Sequence, residues 1–152
     1  MTAACVQRGF DYVSDESLCI DVDSARVIRY PKPLGLSRWS RDQLGVEDAT
    51  LALPAAGREG MATPQDLGGT VASEPIELAH IVLPRYGMGR LGFEMAPSHT
   101  AMAALLEFSF NHFKHGKRSF TLAAELANRV EVWRLDYDNV GAAAQLVESR
   151  LG

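Results

Sequence analysis

Apolar residues in this chain fall into short clusters separated by glycine, proline and acidic pairs, and the spacing within each cluster predicts an element. Residues 2–8 read as a helix, and Gly9 is placed to close it in a left-handed conformation. Phe10, Tyr12 and Val13 form a short strand that ends on Asp15-Glu16. Leu18–Asp23 and Arg26–Tyr30 read as a hairpin around Asp23-Ser24-Ala25, and Pro31-Lys32-Pro33 then enforces an extended segment. Trp39 is expected to anchor the stretch that follows. From Gln43 to Glu74 glycine and proline recur among few bulky apolar residues, which predicts a flexible loop over 54–75.

The second half is more regular. Ile76–Leu83 reads as a strand, with His80 packed in the core rather than acting as a ligand. Ser98 is expected to cap one long helix that runs to His115 and is closed by Gly116. Met102, Leu105, Leu106, Phe110 and Phe113 mark its inner side. Ser119 is expected to cap a second helix with Leu122, Leu126 and Ala127 inward. Val130–Tyr137 is a strand whose alternation slips at Trp133 and predicts a bulge. Asp138 is expected to cap a last helix carrying Val140, Leu146, Val147 and Leu151. The fold class expected is α/β, a mixed sheet with flanking helices.

Composition narrows the picture. A chain of 152 residues with 47% hydrophobic and 22% charged residues fits one domain with a substantial core. The net charge of −4 argues against a general nucleic-acid binder. Cys5 and Cys19 belong to no C-x-x-C motif, which favours reduced thiols. No basic start with an apolar run marks a secretory signal, and no segment is apolar enough to span a membrane. The compartment expected is cytoplasmic, with no nucleic-acid or membrane partner and possible homo-oligomers.

Three patterns carry candidate chemistry. Gly87-Met88-Gly89-Arg90-Leu91-Gly92 matches G-x-G-x-x-G, but Phe93-Glu94-Met95-Ala96-Pro97 does not start a helix, so a dinucleotide site is rejected. A loop carrying Arg85 and Arg90, both able to touch an anion, is the better reading. His112 and His115 lack a third ligand, so a surface pair is expected. Asp15-Glu16 at a strand exit stands where open α/β sheets collect their chemistry, and such acids hold Mg²⁺ or accept a proton. Lys32 and Arg85 are candidate phosphate or substrate contacts on chemistry alone.

Arg8-Gly9-Phe10, Val13-Ser14-Asp15-Glu16 and Tyr30-Pro31-Lys32-Pro33-Leu34, followed by Ile81-Val82-Leu83-Pro84-Arg85 and a long helix, give the chain a family likeness. The order resembles the later part of the nucleotide-binding catalytic domain of HPr kinase/phosphorylase and its smaller serine-kinase relatives. The resemblance implies a partial P-loop, phosphoenolpyruvate-carboxykinase-like kinase domain over 1–152. It also implies ATP and Mg²⁺ as cofactors and a serine-containing protein or peptide as substrate. Asp15 would take the serine proton, and Glu16, together with Asp15, would meet Mg²⁺. The family more often has Asp-Asp at these positions and often histidine where Phe10 stands. Its phosphate-binding loop, G-x-x-x-x-G-K-[ST], would lie immediately before the helix that ends at Gly9, and it is not in this sequence. The expectation is therefore a start that looks like a cut, and a chain inactive by itself. The alternative is a non-catalytic remnant that binds a peptide or partner through the surface around residues 54–97.

Overall fold

A computed structural model describes residues 1–47 and 59–152. In chain order, helix α1 (Thr2–Val6) is followed by strands β1 (Cys19–Ile20), β2 (Arg26–Ile28) and β3 (Leu34–Ser37), helix α2 (Arg38–Leu44) and strand β4 (Glu59–Ala62). A 3-10 turn at Gln65–Leu67 precedes β5 (Ile76–Glu77), β6 (His80–Tyr86) and β7 (Gly92–Met95). Helices α3 (His99–Glu107), α4 (His112–His115) and α5 (Lys117–Ala127) then lead to β8 (Glu131–Tyr137) and α6 (Val140–Leu151). The described residues thus form a mixed α/β structure of six helices and three small sheets. No helix among them is long and apolar enough to cross a membrane.

The sheet that organises the molecule has the order β6-β8-β7, with β8 parallel to β6 and antiparallel to β7. Alternate residues of a strand point to opposite faces, and β8 is buried on both. Val132 joins Ile81 and Leu83 under Ala101 of α3, whereas Leu135 joins Val82 under Ala143 and Val147 of α6. Burial on both faces also explains why the apolar alternation slips at Trp133. The expected bulge is absent. The β8 register is continuous on either side, and Trp133 instead stacks on Phe93 with ring centroids 4.9 Å apart.

The hairpin of β1 and β2 forms as expected, and β5 extends it to a three-stranded sheet. Its turn is held by the Asp21 carboxylate, which accepts from the Ser24 amide (2.7 Å) and hydroxyl (2.8 Å). Helix α1 ends at Val6, earlier than the expected 2–8, and a turn carries the chain to Gly9, which takes the left-handed conformation expected of it, with φ +90. The strand expected over Phe10–Val13 shrinks to one bridge, Tyr12 against Val71. Ile76–Leu83 divides into β5 and β6.

Within its described part, the loop expected over 54–75 is corrected; residues 54–58 lie outside the described residues. Strand β4 pairs antiparallel with β3, Leu34 opposite Ala62. Thr63 and Asp66 cap the 3-10 turn reciprocally: the Thr63 amide donates to Asp66 Oδ2 (2.7 Å) and the Asp66 amide to Thr63 Oγ1 (3.3 Å). Small residues carried this segment past α1, where bulky ones would not fit. A Cβ on Gly69 would collide with Val6 Cγ1, and Ala62, Leu67 and Ala72 are buried.

The helix expected over 98–115 is also corrected. It breaks after Glu107, where Phe108-Ser109-Phe110-Asn111 offers weak helix formers in succession. His112 Nδ1 lies 3.1 Å from the Ser109 carbonyl oxygen, so the broken end gains a side-chain contact. As a result Phe110 and Phe113, expected inward, are exposed. Ser119 lies inside α5 rather than at its cap, and its hydroxyl donates back to the His112 and Gly116 carbonyls. Asn139, not Asp138, caps α6 by accepting from the Ala142 amide at 2.8 Å.

Candidate functional site

Tyr12 fixes the turn that carries Asp15 and Glu16. Its side chain is almost wholly buried, its amide donates to the Thr70 carbonyl (2.7 Å), and its carbonyl accepts from Ala72 (2.9 Å). Its hydroxyl donates to the Lys32 carbonyl at 2.7 Å, and the Tyr30 amide donates to the Val13 carbonyl at 3.0 Å. The acids therefore leave a segment tied on two sides. Ser14 Oγ donates to the Ser17 carbonyl at 2.6 Å and tightens the turn itself.

The two acids face different hollows. Asp15 lines one of about 120 Å³ together with Met1 and Thr2 at the start of α1, Leu34 and Leu36 of β3, and Trp39 of α2. Tyr137 at the end of β8 closes it, and Tyr86 links that ring to Trp39 by edge contacts of 5.6 and 5.5 Å. Glu16 lines a larger, mostly apolar hollow of about 510 Å³ on the other side of the turn, against Leu18, Leu78, Ile81 and Leu105. Glu16 is also the ion-pair partner of Lys32, Nζ to Oε2 2.9 Å. The hydrogen bond to Glu16, then its charge, holds the Lys32 ammonium above its ordinary value. Both side chains stand in solvent, so the pair positions Lys32 more than it stabilises the fold.

Arg85 stands elsewhere. Tyr86 and Tyr137 are register partners on the Asp15 side of the main sheet, so Arg85 and Asp136, one residue earlier on each strand, point to the opposite face. There Arg85 grips Asp136 through Nε (2.6 Å) and Nη2 (2.9 Å), and Arg90 adds Nε at 2.7 Å. Only 3% of the Asp136 side chain is exposed, while both arginine side chains are about half exposed. The carboxylate is thus screened by two guanidiniums with water beyond them, not sunk in the core. The anion met by this loop is a side chain of the protein.

Hydrogen bonds from Arg85, and then from Arg90, hold the Asp136 carboxyl below the usual carboxylate range, against the opposing effect of burial. A carboxyl depressed in the folded state contributes stability above its unfolded value, and that contribution is lost as pH falls through the folded value. Thermal midpoints from about pH 6 to about pH 2 are expected to show Asp136→Asn less stable than the parent above pH 4, with the gap closing below it. A gap unchanged down to the acid end of the series contradicts this role.

The structure brings Glu16 to Lys32 but places Asp15 in a separate hollow and Arg85 on another face. His80 is half-buried, with Nδ1 3.3 Å from Glu131 Oε2 across the ladder. Among the described residues no group of three His, Cys, Asp or Glu side chains is gathered to hold a metal. Of the two acids expected to meet Mg²⁺, which commonly takes one or two carboxylates and completes its shell with phosphates and water, only Glu16 is held in an ion pair. Glu16, held by Lys32, would first have to release it. Sequence reading missed Asp136 and the Trp39–Tyr86–Tyr137 ring contacts. An aspartate inside the apolar run Val132–Tyr137 was the available signal, because a buried carboxylate in a central strand requires a cationic partner.

The chain matches no protein-family model, no curated protein and no solved structure.

Proposed function

We propose that Asp15 and the hollow beside it are half of a phosphotransfer site, in which a serine hydroxyl of a protein or peptide receives the terminal phosphoryl group of ATP. The observation that carries this reading is that Asp15 and the first residues of α1 line one hollow. The resemblance puts a phosphate-binding loop directly before α1. A chain carrying that loop would deliver its bound phosphates to the mouth of the hollow, within the neighbourhood of Asp15. This corresponds to a P-loop kinase-like arrangement of the mixed α/β fold.

In that setting the chemistry is mostly positioning. The serine oxygen forms a bond to the γ-phosphorus as the bond from phosphorus to the ADP oxygen breaks. Asp15, exposed and without a hydrogen-bonded partner of its own among the described residues, takes the hydroxyl proton. Mg²⁺ would offset phosphate charge, with Asp15 the residue placed to meet it. Lys32 is a cation held by Glu16, and it would reach an incoming phosphate only at the cost of that ion pair.

The 152-residue chain alone is expected to bind Mg²⁺·ATP weakly and to leave it unhydrolysed and untransferred. Calorimetry and a γ-phosphate transfer assay check this, and efficient phosphotransfer by the isolated chain contradicts the half-site.

A second reading, a partner-binding module without catalysis, is favoured by a separate observation. Tyr86, Met88 and Leu91, on or beside the connection from β6 to β7, and Met95 at the far end of β7 are large apolar side chains left exposed. They fall within the surface expected around 54–97, of which 54–58 lies outside the described residues. Partner binding that survives Asp15→Asn, with no effect of ATP, supports the module over the kinase.

A further inference from the structure

The main sheet ends on two outer strands, β6 and β7, and only β6 carries a block to further pairing. The Ala79 carbonyl accepts from the Glu131 amide and the Gly87 amide donates to the Tyr137 carbonyl, so the odd positions of β6 bond to β8. Pro84, at an even position, therefore stands on the outer edge, where it has no N–H to offer. Proline at such a place keeps an edge from pairing. Strand β7 has no proline. The Ala96 amide donates to the Val132 carbonyl (2.7 Å), which sets the even positions of β7 against β8. The amides and carbonyls of Leu91, Phe93 and Met95 are thus turned outward, and among the described residues no strand lies beyond β7 to take them.

The side chains of this edge match its backbone. Leu91, Phe93 and Met95 alternate onto one face. Leu91 and Met95 stand 51% and 61% exposed, and Phe93 between them is half-buried, stacked on Trp133. The row is apolar in either direction, so it is complementary to itself across a two-fold axis. Not every two-fold register that sets outward residues opposite one another is equally good. Centred on Glu94, the pairing would set two carboxylates directly opposite. Centred on Gly92, it would bring Met95 onto Gly89, which turns the chain away in the left-handed region at φ +66. Centred on Phe93, it sets Leu91 opposite Met95 of the second copy and Phe93 opposite Phe93. On the other face Glu94 then meets Gly92 of the copy, has the copy's Arg90 on the diagonal, and keeps Arg134 across its own sheet.

We propose that this protein pairs with a second copy of itself through β7, antiparallel and centred on Phe93, so that two main sheets become one in the order β6-β8-β7-β7-β8-β6. Phe93 exchanges both of its outward hydrogen bonds with Phe93 of the copy, and Leu91 exchanges its own with Met95. The exposed leucine and methionine of each chain close over those of the other. Self-complementarity selects the occupant: an arbitrary strand would satisfy the backbone, but it would not bring an apolar row to the apolar face and a glycine to Glu94. A seam confined to 91–95 is smaller than the roughly 1,600 Å² of a standard interface, so the dimer is reversible and forms as concentration rises. No residue of the seam lines the Asp15 hollow, and the pairing is independent of phosphotransfer there.

Sedimentation velocity of the full chain from about 1 µM to about 1 mM reads the association. A monomer is expected at the low end and a dimer at the high end. Leu91→Glu and Met95→Lys, both at exposed positions, are each expected to weaken the dimer about tenfold or more. The double variant Leu91→Glu/Met95→Lys is expected to restore it, because each new carboxylate then faces a new ammonium of the other copy. Only the register centred on Phe93 provides that rescue. Hydrogen exchange on the same samples reads the backbone: the amides of Leu91, Phe93 and Met95 are expected to slow as concentration rises, and that of Glu94, bonded to β8, to be slow throughout. A chain that stays monomeric, a dimer indifferent to the single changes, or single losses that the double variant does not recover overturns the proposal. Edge amides protected equally at all concentrations also overturn it, since another segment of the same chain would then lie on the edge.

Discussion

If the phosphotransfer proposal holds, Asp15→Asn in a chain extended upstream by a phosphate-binding loop is expected to lower serine phosphorylation about 10²- to 10⁴-fold, the usual contribution of a positioned proton acceptor. The loss should fall on kcat, because the asparagine keeps the shape of the hollow and loses only the ability to take the proton. Thermal unfolding should not move: Asp15 is exposed, and the turn is held by Tyr12, Ser14 and Tyr30 rather than by its carboxylate. Glu16→Gln should cost less, since Glu16 faces the other side of the turn and its near partner is Lys32. Equal losses for the two variants would mean that both acids meet the nucleotide in the working state. A parallel peptide phosphorylation assay, with the unfolding midpoint measured on the same samples, reads all three outcomes.

Leu135→Ala has the largest expected effect on stability. Leu135 is fully buried in the central strand, at the contact with Ala143 and Val147 of α6, and small neighbours such as Ala143 cannot move inward to close a cavity. Loss of the side chain is expected to cost about 2–5 kcal/mol, the range for deleting a buried leucine with incomplete collapse. Chemical denaturation at neutral pH measures it. A cost under about 1 kcal/mol would place the site in a region that repacks freely, at odds with a β8 enclosed on both faces. The same change at Leu105, which faces the open hollow beside Glu16, should cost far less.

Elements whose signals are local were legible in the sequence. Gly9 takes its left-handed conformation in the turn after α1, Asp21 and its neighbours turn the hairpin, and the α/β class follows from apolar runs of the right period. Elements decided by distant partners were not. The segment 59–75 looked featureless because its residues are small, and they are small because it runs against α1, a contact with no local signature. Helix periodicity carried the expectation straight through Phe108–Asn111, where propensity opposed it, and so buried on paper two phenylalanines that are exposed. The apparent phase slip at Trp133 came from a strand covered on both faces rather than from an extra residue.

The candidate site was legible only in part. Asp15 and Glu16 were expected at a strand exit, but the strand before them is one bridge, and adjacency in sequence hid that they open onto different hollows. Lys32 met Glu16, a pairing across sixteen residues that proline-enforced extension makes possible. Arg85 was singled out for its charge, and the acid that claims it lies fifty-one residues away on a neighbouring strand. Only the parallel register of β6 and β8 brings the two together.

The half-site is tested most directly by two-dimensional NMR of the chain titrated with Mg²⁺·ATP. Shift changes are expected to gather at Thr2–Ala3, Ser14–Glu16 and Leu34–Trp39, with the Trp39 indole signal moving and that of Trp133, stacked on Phe93, unmoved. Changes confined to Leu105–Asn111, or none around Asp15 at saturating nucleotide, would contradict a phosphotransfer site in that hollow.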